Sequence, residues 1–451
     1  MRVETDFLGQ RELPDEALYG IQSLRARENF LGRALSNRRL VHALVKVKKA
    51  AALAHASLIP ERSKVFLAVA DACDRVLNSE ADSDFIVPAL QGGAGTSLNM
   101  NVNEVLANLA LARLGFKKGE YREVHPLDDV NRGQSTNDVY PTALRVACVE
   151  LLRELADEAA ALQESLQERE NEFAEIRKLG RTELMDAVPV TLGDEFGAFA
   201  QAVARDRWRL YKIEERLRQI NLGGLAVGLP GGGGGTSAAL ARRHRFAALE
   251  KLREITGIGL ALSEYPMDVT QNNDVFVEVS GLLKAMAANL AKISGDLRLM
   301  NSGPHGGLGE IRLEPLQLGS TIMPGKVNPV VPEYVTICSY KVMANDLAVT
   351  LVASRGEFEL NAFLPLLAES ILESLELMRD AAKVFRKKCV ETLKPDPRRC
   401  LELLEASMAF AAAYAPRLGH DRVAFVLTEH AGDPRGALEA LERELREKDR
   451  L

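Results

Sequence analysis

The sequence predicts a mainly all-α chain organised around a bundle of long helices. Two observations carry this. From Ala143 to Leu179 the residues Leu144, Cys148, Leu151, Leu155, Leu162 and Leu166 recur at spacings of three, four and seven, which is one face of a long helix. Comparable runs cover about 193–220, 274–301, 333–353 and 365–390, and helices of that length bury their apolar stripes by packing side by side. The stripes are wider than one chain is expected to cover.

In chain order, residues 1–35 lack periodicity and are expected to be irregular. Shorter helices are expected near 38–57 and 61–79. Gln91–Gly95 then exposes backbone N–H groups, and Thr96 and Ser97 add donors before a helix start, the outline of an anion site. Taken alone, the same stretch reads equally as an ordinary capped helix. Ser135, Thr136 and Asn137 are three consecutive short polar side chains able to donate to one carboxylate, or simply to cap a helix. Gly180–Gly193 interrupts two long helices. Pro230–Ser237 holds the glycines Gly231–Gly235 and reads as a flexible connector, with no Lys before its Thr-Ser pair to make a phosphate cradle. A small helical unit is expected from about 391. The expected division is an N-terminal domain, 1–136, a central long-helix domain, 137–390, and a C-terminal helical domain, 391–451.

Composition narrows the function. A chain of 451 residues can bury a large core. Its net charge of −6 and dispersed Lys and Arg argue against nucleic-acid binding. Met-Arg-Val-Glu-Thr-Asp-Phe at the start has no apolar signal core, and no uninterrupted apolar run looks able to span a membrane, so a cytoplasmic location is expected. The five cysteines form no CxxC pair and are expected as reduced core thiols. The seven histidines show no HExxH-type spacing, so no metal site is expected.

The most informative stretch is Gly319-Ser-Thr-Ile-Met-Pro-Gly-Lys-Val-Asn-Pro-Val-Val-Pro332. Its early glycines and proline make it a loop. It carries a hydroxyl pair, Ser320 and Thr321, then Lys326 and Asn328. A mobile loop with a hydroxyl, an ammonium and an amide suits binding and deprotonating a carboxylate substrate. A proline-rich surface loop is the alternative. Pro332 and Glu333 open a helical run, where Glu333 suits the positive end of the helix dipole.

This loop resembles the GSSIMPxKxN signature of the aspartase/fumarase superfamily. Other stretches resemble the same family: Tyr19-Gly-Ile-Gln-Ser-Leu-Arg-Ala-Arg-Glu-Asn-Phe, Gln91–Asn108, His125–Thr142, Gly180–Gly193, Asp296–Ile311 and Gly356–Pro365. The resemblance covers nearly the whole chain. It implies reversible anti elimination from succinyl-type substrates to give fumarate, with no metal or organic cofactor. It places the base at Ser320 and the carboxylate clamp at Lys326 and Asn328. Thr96, Ser135, Thr136, Asn137, Thr182 and Thr321 then contact substrate. It also implies a homotetramer with active sites shared between subunits, acting on a small dicarboxylate or amino acid.

Three departures matter. The second Ser of the signature is Thr321, which keeps a hydroxyl. Leu127 stands where some fumarases carry an Asn in a secondary anion-binding turn, and no such site is assigned. Glu183 takes the place of the family's His. A carboxylate there would repel a dicarboxylate unless it faces a cationic group, so it favours an amine leaving group, or else pairs with Arg181 at the surface. The expected function is a C–N lyase acting on aspartate or an aspartate derivative. A class II fumarase and a catalytically silent homologue are the alternatives, and retention of Ser320, Lys326 and Asn328 argues against the silent one.

Overall fold

The computed structural model describes residues 1–32, 34–230 and 238–449. A hairpin opens the chain, β1 (Arg2–Asp6) and β2 (Gly9–Leu13). Four helices follow: α1 (Ile21–Asn29), α2 (Arg38–Leu58), α3 (Ser63–Leu77) and α4 (Thr96–Leu114). The 37-residue α5 (Thr136–Glu172) leads to a second hairpin, β3 (Arg177–Thr182) and β4 (Met185–Thr191), and then to α6 (Leu192–Leu217). Next come α7 (Ala238–Thr256), the short α8 (Pro266–Gln271), α9 (Asp274–Met300), α10 (Val330–Ala353) and α11 (Leu364–Phe385). The chain ends with α12 (Pro397–Glu405), α13 (Ala415–Leu418), α14 (His420–Glu429) and α15 (Pro434–Lys448). The described strands pair only two by two, so the mainly all-α reading holds.

The residues fall into two compact units. The first comprises Met1–Ala156, Arg209–Lys284 and Lys341–Met378. Here α2 packs on α3 and α7, and α4 on α1 and α3. The core includes Leu44, Val47, Phe66, Leu98, Val102, Leu106 and Leu144. Helix α4 is buried on every side, and its polar Asn99, Asn101, Asn103, Glu104 and Asn108 are buried with it. Buried polar groups need partners. The Glu104 carboxylate accepts from the N–H groups of Gly20, Gln22 and Ser23 at 2.8–3.0 Å. It thereby caps α1, which has no side-chain cap of its own. Gly20 is required at this contact, because a Cβ would lie 2.7 Å from the Glu104 carboxyl carbon. Inside α5, Pro141 cannot bond the carbonyl of Asn137 four residues back. Asn221 Nδ2 donates to that carbonyl instead, at 2.9 Å.

The second unit comprises Asp157–Trp208, Ala285–Tyr340 and the residues from Arg379 onward. The β3–β4 hairpin packs against α12, with Leu179, Leu404 and Ala409 buried together. Lys178, buried on β3, has ion pairs of 2.7 Å to both Glu195 and Glu310. Arg181 reaches the other Glu310 oxygen, also at 2.7 Å. The two carboxylates offset the cost of burying this cation. Val423, Val426, Ala440 and Leu441 form the small core of α14 and α15.

Three expectations are corrected. The N-terminal stretch is not irregular throughout: residues 1–32 include β1–β2 and α1. The hairpin register Arg2↔Leu13 to Asp6↔Gly9 leaves a two-residue turn at Phe7–Leu8. Both strands are largely charged, so no apolar alternation announced them. The helix expected to reach Leu179 ends at Glu172, because Arg177–Thr182 pairs with Met185–Thr191. The run expected to 390 leaves α-helical geometry after Phe385, and a single wider turn, Arg386–Val390, closes it. The Pro230–Ser237 connector lies outside the described residues from Gly231 onward.

Candidate active site

In the first unit, Ser135, Thr136 and Asn137 open α5. Ser135 and Asp138 both cap this helix start: Ser135 N–H donates to Asp138 Oδ1 at 3.0 Å, and Asn137 N–H donates to Ser135 Oγ at 3.2 Å. The capping role is therefore real, and it leaves the Ser135 proton free to donate. Asn137 Nδ2 is engaged with Ala226 O at 2.8 Å. Thr136 is buried, and its Oγ1 accepts from Asn99 Nδ2 at 3.0 Å. Thr96 is the first residue of α4, exposed, one helical turn before Asn99 and so on the same side of that helix. Gly95 precedes it at φ 92°, where a Cβ would meet the Tyr140 ring at 2.4 Å. Gln91 Oε1 accepts from Leu98 N–H at 3.0 Å and takes up one of the donors of this helix start.

Behind these residues lie groups that the sequence reading did not single out. Lys48 is fully buried and donates to Asn131 Oδ1 at 2.7 Å. Burial pushes its ammonium down to about 7, opposed by Asp138. Burial pushes the Asp138 carboxyl up to about 7, opposed by backbone donors and then Lys48. Asp138 Oδ2 also accepts from Leu225 N–H at 2.9 Å, a residue held at φ 56°. The available signal was asparagine, a poor helix former, at 99, 101, 103 and 108 of an otherwise apolar helix.

In the second unit, Thr182 and Glu183 sit at the exposed tip of β3–β4. Thr182 pairs with Met185, so Glu183 and Leu184 are the two turn residues, at φ 54° and 66°. A hairpin turn with both central residues at positive φ favours Asn-Gly. Holding two larger residues there costs about 1–3 kcal/mol each. Glu183 does not pair with Arg181, whose guanidinium is taken by Glu310. Instead Glu183 borders a cavity of about 390 Å³ with Lys178, Arg181, Lys292 and Asp296.

The 319–332 loop is folded on itself in the same unit. Gly319 N–H donates to Lys326 O at 2.9 Å, and Asn328 Nδ2 donates to Gly319 O at 2.8 Å. Gly319 is needed there, since a Cβ would lie 2.5 Å from Lys326 O. Ser320 Oγ accepts from two backbone donors, Ile322 N–H at 3.1 Å and Met323 N–H at 2.9 Å. Thr321 is exposed, and Ile322 is 87% exposed. Lys326 and Asn328 border a cleft of about 710 Å³ with Arg298, Arg312 and Glu333. The described residues hold no cluster of three or more His, Cys, Asp or Glu side chains suited to a metal. All five cysteines are buried and unpaired.

Comparison with known proteins places this geometry. A family model described as "Lyase" matches residues 9–344. An aspartate ammonia-lyase of Helicobacter pylori is 41% identical over 458 residues, covering 100% of this chain and 96% of its own. That of Escherichia coli K12 is 40% identical over 427 residues, covering 93% of this chain and 87% of its own. Among solved structures, a cobalt-bound fumarate lyase:delta crystallin from Brucella melitensis superposes with a TM-score of 0.91 at 40% identity, covering 99% of both chains. A class II fumarase from Schistosoma mansoni superposes with a TM-score of 0.89 at 28% identity, covering 98% of this chain and 95% of its own. A loop that aims two backbone donors at Ser320, on a mainly helical fold matched over its full length, leads to one conclusion: the chain belongs to this lyase family, the aspartase/fumarase superfamily.

Proposed function

We infer that this lyase removes ammonia from L-aspartate to give fumarate. The observation that carries the chemistry is the pair of backbone N–H groups on Ser320 Oγ. A serine hydroxyl is a weak acid, and its alkoxide serves as a base only where fixed donors stabilise it. The Ser320 alkoxide takes the proton from the carbon next to one carboxylate. The electron pair collects on that carboxylate, then forms the double bond as the C–N bond breaks and the nitrogen leaves with its bonding pair. Stabilising the doubly charged intermediate is the main task. Thr96, Ser135, Thr136 and Thr321 supply hydroxyl donors to it, and Asn137 and Thr182 help to seat the substrate. Lys326 and Asn328 hold the second carboxylate, and closure of the 319–332 loop excludes water. The aspartate ammonia-lyases are 40–41% identical to this chain and the Schistosoma fumarase 28%, which favours nitrogen over water as leaving group.

The active assembly is a homotetramer with shared sites, in the cytoplasm. Helix α10 supports self-association: Ile337, Tyr340, Leu347 and Leu351 are exposed at spacings of three, seven and four, one apolar stripe. By length and composition α10 alone among the described helices is apolar enough to cross a bilayer, and we assign its stripe to subunit packing. The division into 1–136, 137–390 and 391–451 follows the chain order of these functional parts. The deciding assay follows fumarate absorbance with L-aspartate, L-malate and argininosuccinate. Aspartate is expected to give the highest kcat/KM, and a preference for malate overturns the reading.

A further inference from the structure

Three side chains behind Thr136, of which Lys48 and Asn99 are buried, form a chain of hydrogen bonds with only one possible direction. Lys48 begins it. Burial lowers its ammonium to about 7, opposed by Asp138, so the direction is fixed not by Lys48 but from the far side of Asn131. Lys48 Nζ lies 2.7 Å from Asn131 Oδ1. Asn131 Nδ2 is turned the other way, onto Gln134 O at 3.1 Å, a carbonyl that can only accept, so the Asn131 oxygen must face Lys48. The same Asn131 oxygen then requires nitrogen from its other neighbours. Asn99 Nδ2 is 3.1 Å away and Asn103 Nδ2 3.3 Å. Rotating the Asn99 amide by half a turn would set two carbonyl oxygens against each other. With its nitrogen fixed, Asn99 donates its second proton to Thr136 Oγ1 at 3.0 Å. This orientation leaves Asn99 Oδ1 and Asn103 Oδ1 buried without a hydrogen-bond partner among the described residues, a cost of about 1–3 kcal/mol apiece. Packing alone gives no reason to bear it.

We propose that Lys48, Asn131 and Asn99 are positioning residues that fill the acceptor side of Thr136 Oγ1 and so hold its hydroxyl as a donor toward the substrate carboxylate. The Thr136 proton cannot turn back to Asn99, whose nitrogen offers no lone pair. Charge on the substrate carboxylate grows in the transition state, and a hydroxyl already oriented to donate needs no reorganisation there. This inference rests on Thr136 being a substrate contact, as proposed above.

The test is a double-mutant cycle in the full-length enzyme, using Asn99→Ala, Thr136→Val, the double variant, and Asn99→Asp. Each is measured for aspartate kcat and KM, for succinate affinity by calorimetry, and for thermal midpoint. Asn99→Ala is expected to lower kcat/KM about 10-fold, mainly in kcat. The double variant should be no worse than Thr136→Val alone, because the two act as one unit. Asn99→Asp is nearly isosteric but can only accept, so it captures the Thr136 proton. It should lose about 100-fold in kcat/KM, more than Asn99→Ala. A purely structural role predicts the reverse order. Additive losses in the cycle overturn the proposal, as does Asn99→Asp keeping kcat/KM within about threefold of wild type. Should Asn99→Ala fail to fold, the isosteric Asn99→Asp still decides. The succinate measurement separates this proposal from the leaving-group reading. If wild type prefers malate to aspartate, the cycle on succinate affinity still shows whether Asn99 acts through Thr136.

Discussion

Ser320 and Glu183 are the residues on which the chemistry turns. Ser320 Oγ has two backbone donors and no neighbouring histidine in its loop. Ser320→Ala is therefore expected to lower kcat by about 100-fold or more, since loss of an essential proton acceptor has that size. Succinate affinity and the thermal midpoint should stay near wild type. A variant keeping more than about a tenth of the wild-type rate would show that another group is the base. Glu183 stands at a turn position held at φ 54°. Arg181 is occupied by Glu310, so the Glu183 carboxylate remains available to a cationic amine. Glu183→Gln is expected to reduce aspartate kcat/KM about 10-fold, the size of a hydrogen bond to a charged group, and to leave malate unchanged. The measurement is a side-by-side determination for both substrates. Equal loss on both would assign Glu183 to hairpin geometry instead.

At the scale of elements, α2 and α7 meet through a pair of imidazoles. His55 and His244 stack at 3.6 Å between ring centroids, and His55 also stacks on Phe66 at 5.1 Å. Burial, then the neighbouring His244, pushes His55 down to about 3, and burial lowers His244 as well. Above about pH 6.5 both rings are neutral whether the chain is folded or not, so their contribution is complete. As pH falls from there towards 3, the unfolded chain takes up protons that the folded pair resists, and stability is lost. Urea midpoints measured between pH 7.5 and 5 should drop more steeply for wild type than for His55→Gln. That substitution keeps a donor for Arg132 O, which His55 Nε2 meets at 2.9 Å. Identical slopes would remove the histidine pair from the acid response.

Over the whole molecule, the matched stretches are separated in sequence by long helices. The 37 residues of α5 span about 55 Å at 1.5 Å per residue. Sites assembled from several chains follow if each chain supplies only some of the stretches. Mixing inactive Ser320→Ala chains with inactive Thr182→Ala chains should then restore activity above both parents in confirmed mixed tetramers, and no recovery would argue for sites within one chain. The α10 stripe gives an independent check. Ile337 and Tyr340 are 66% and 62% exposed in the isolated chain. Ile337→Glu with Tyr340→Glu should shift the sedimentation mass towards smaller assemblies at unchanged helicity, because two buried charges outweigh the apolar contact they replace.

The sequence by itself determined the helical class, four of the five long helices to within five residues, and the family, while α5 lies seven residues earlier at each end than its apolar stripe implied. Each depends on local information: a 3.6-residue apolar period or a run of consecutive loop residues such as 319–332. It could not show the β1–β2 hairpin, whose charged strands carry no alternation, nor where α5 stops, because strand pairing between 177–182 and 185–191 overrides helical propensity. Thr96, Thr136 and Ser320 were legible as hydroxyls in motifs, but not what surrounds their oxygens. That was decided by tertiary structure. Asn99 reaches Thr136 across 37 residues, Lys48 reaches Asn131 across 83, and Glu310 draws Arg181 away from Glu183 across 129. A side chain buried without water must find its partner wherever the fold brings one within about 3 Å, and sequence separation carries no information about that distance.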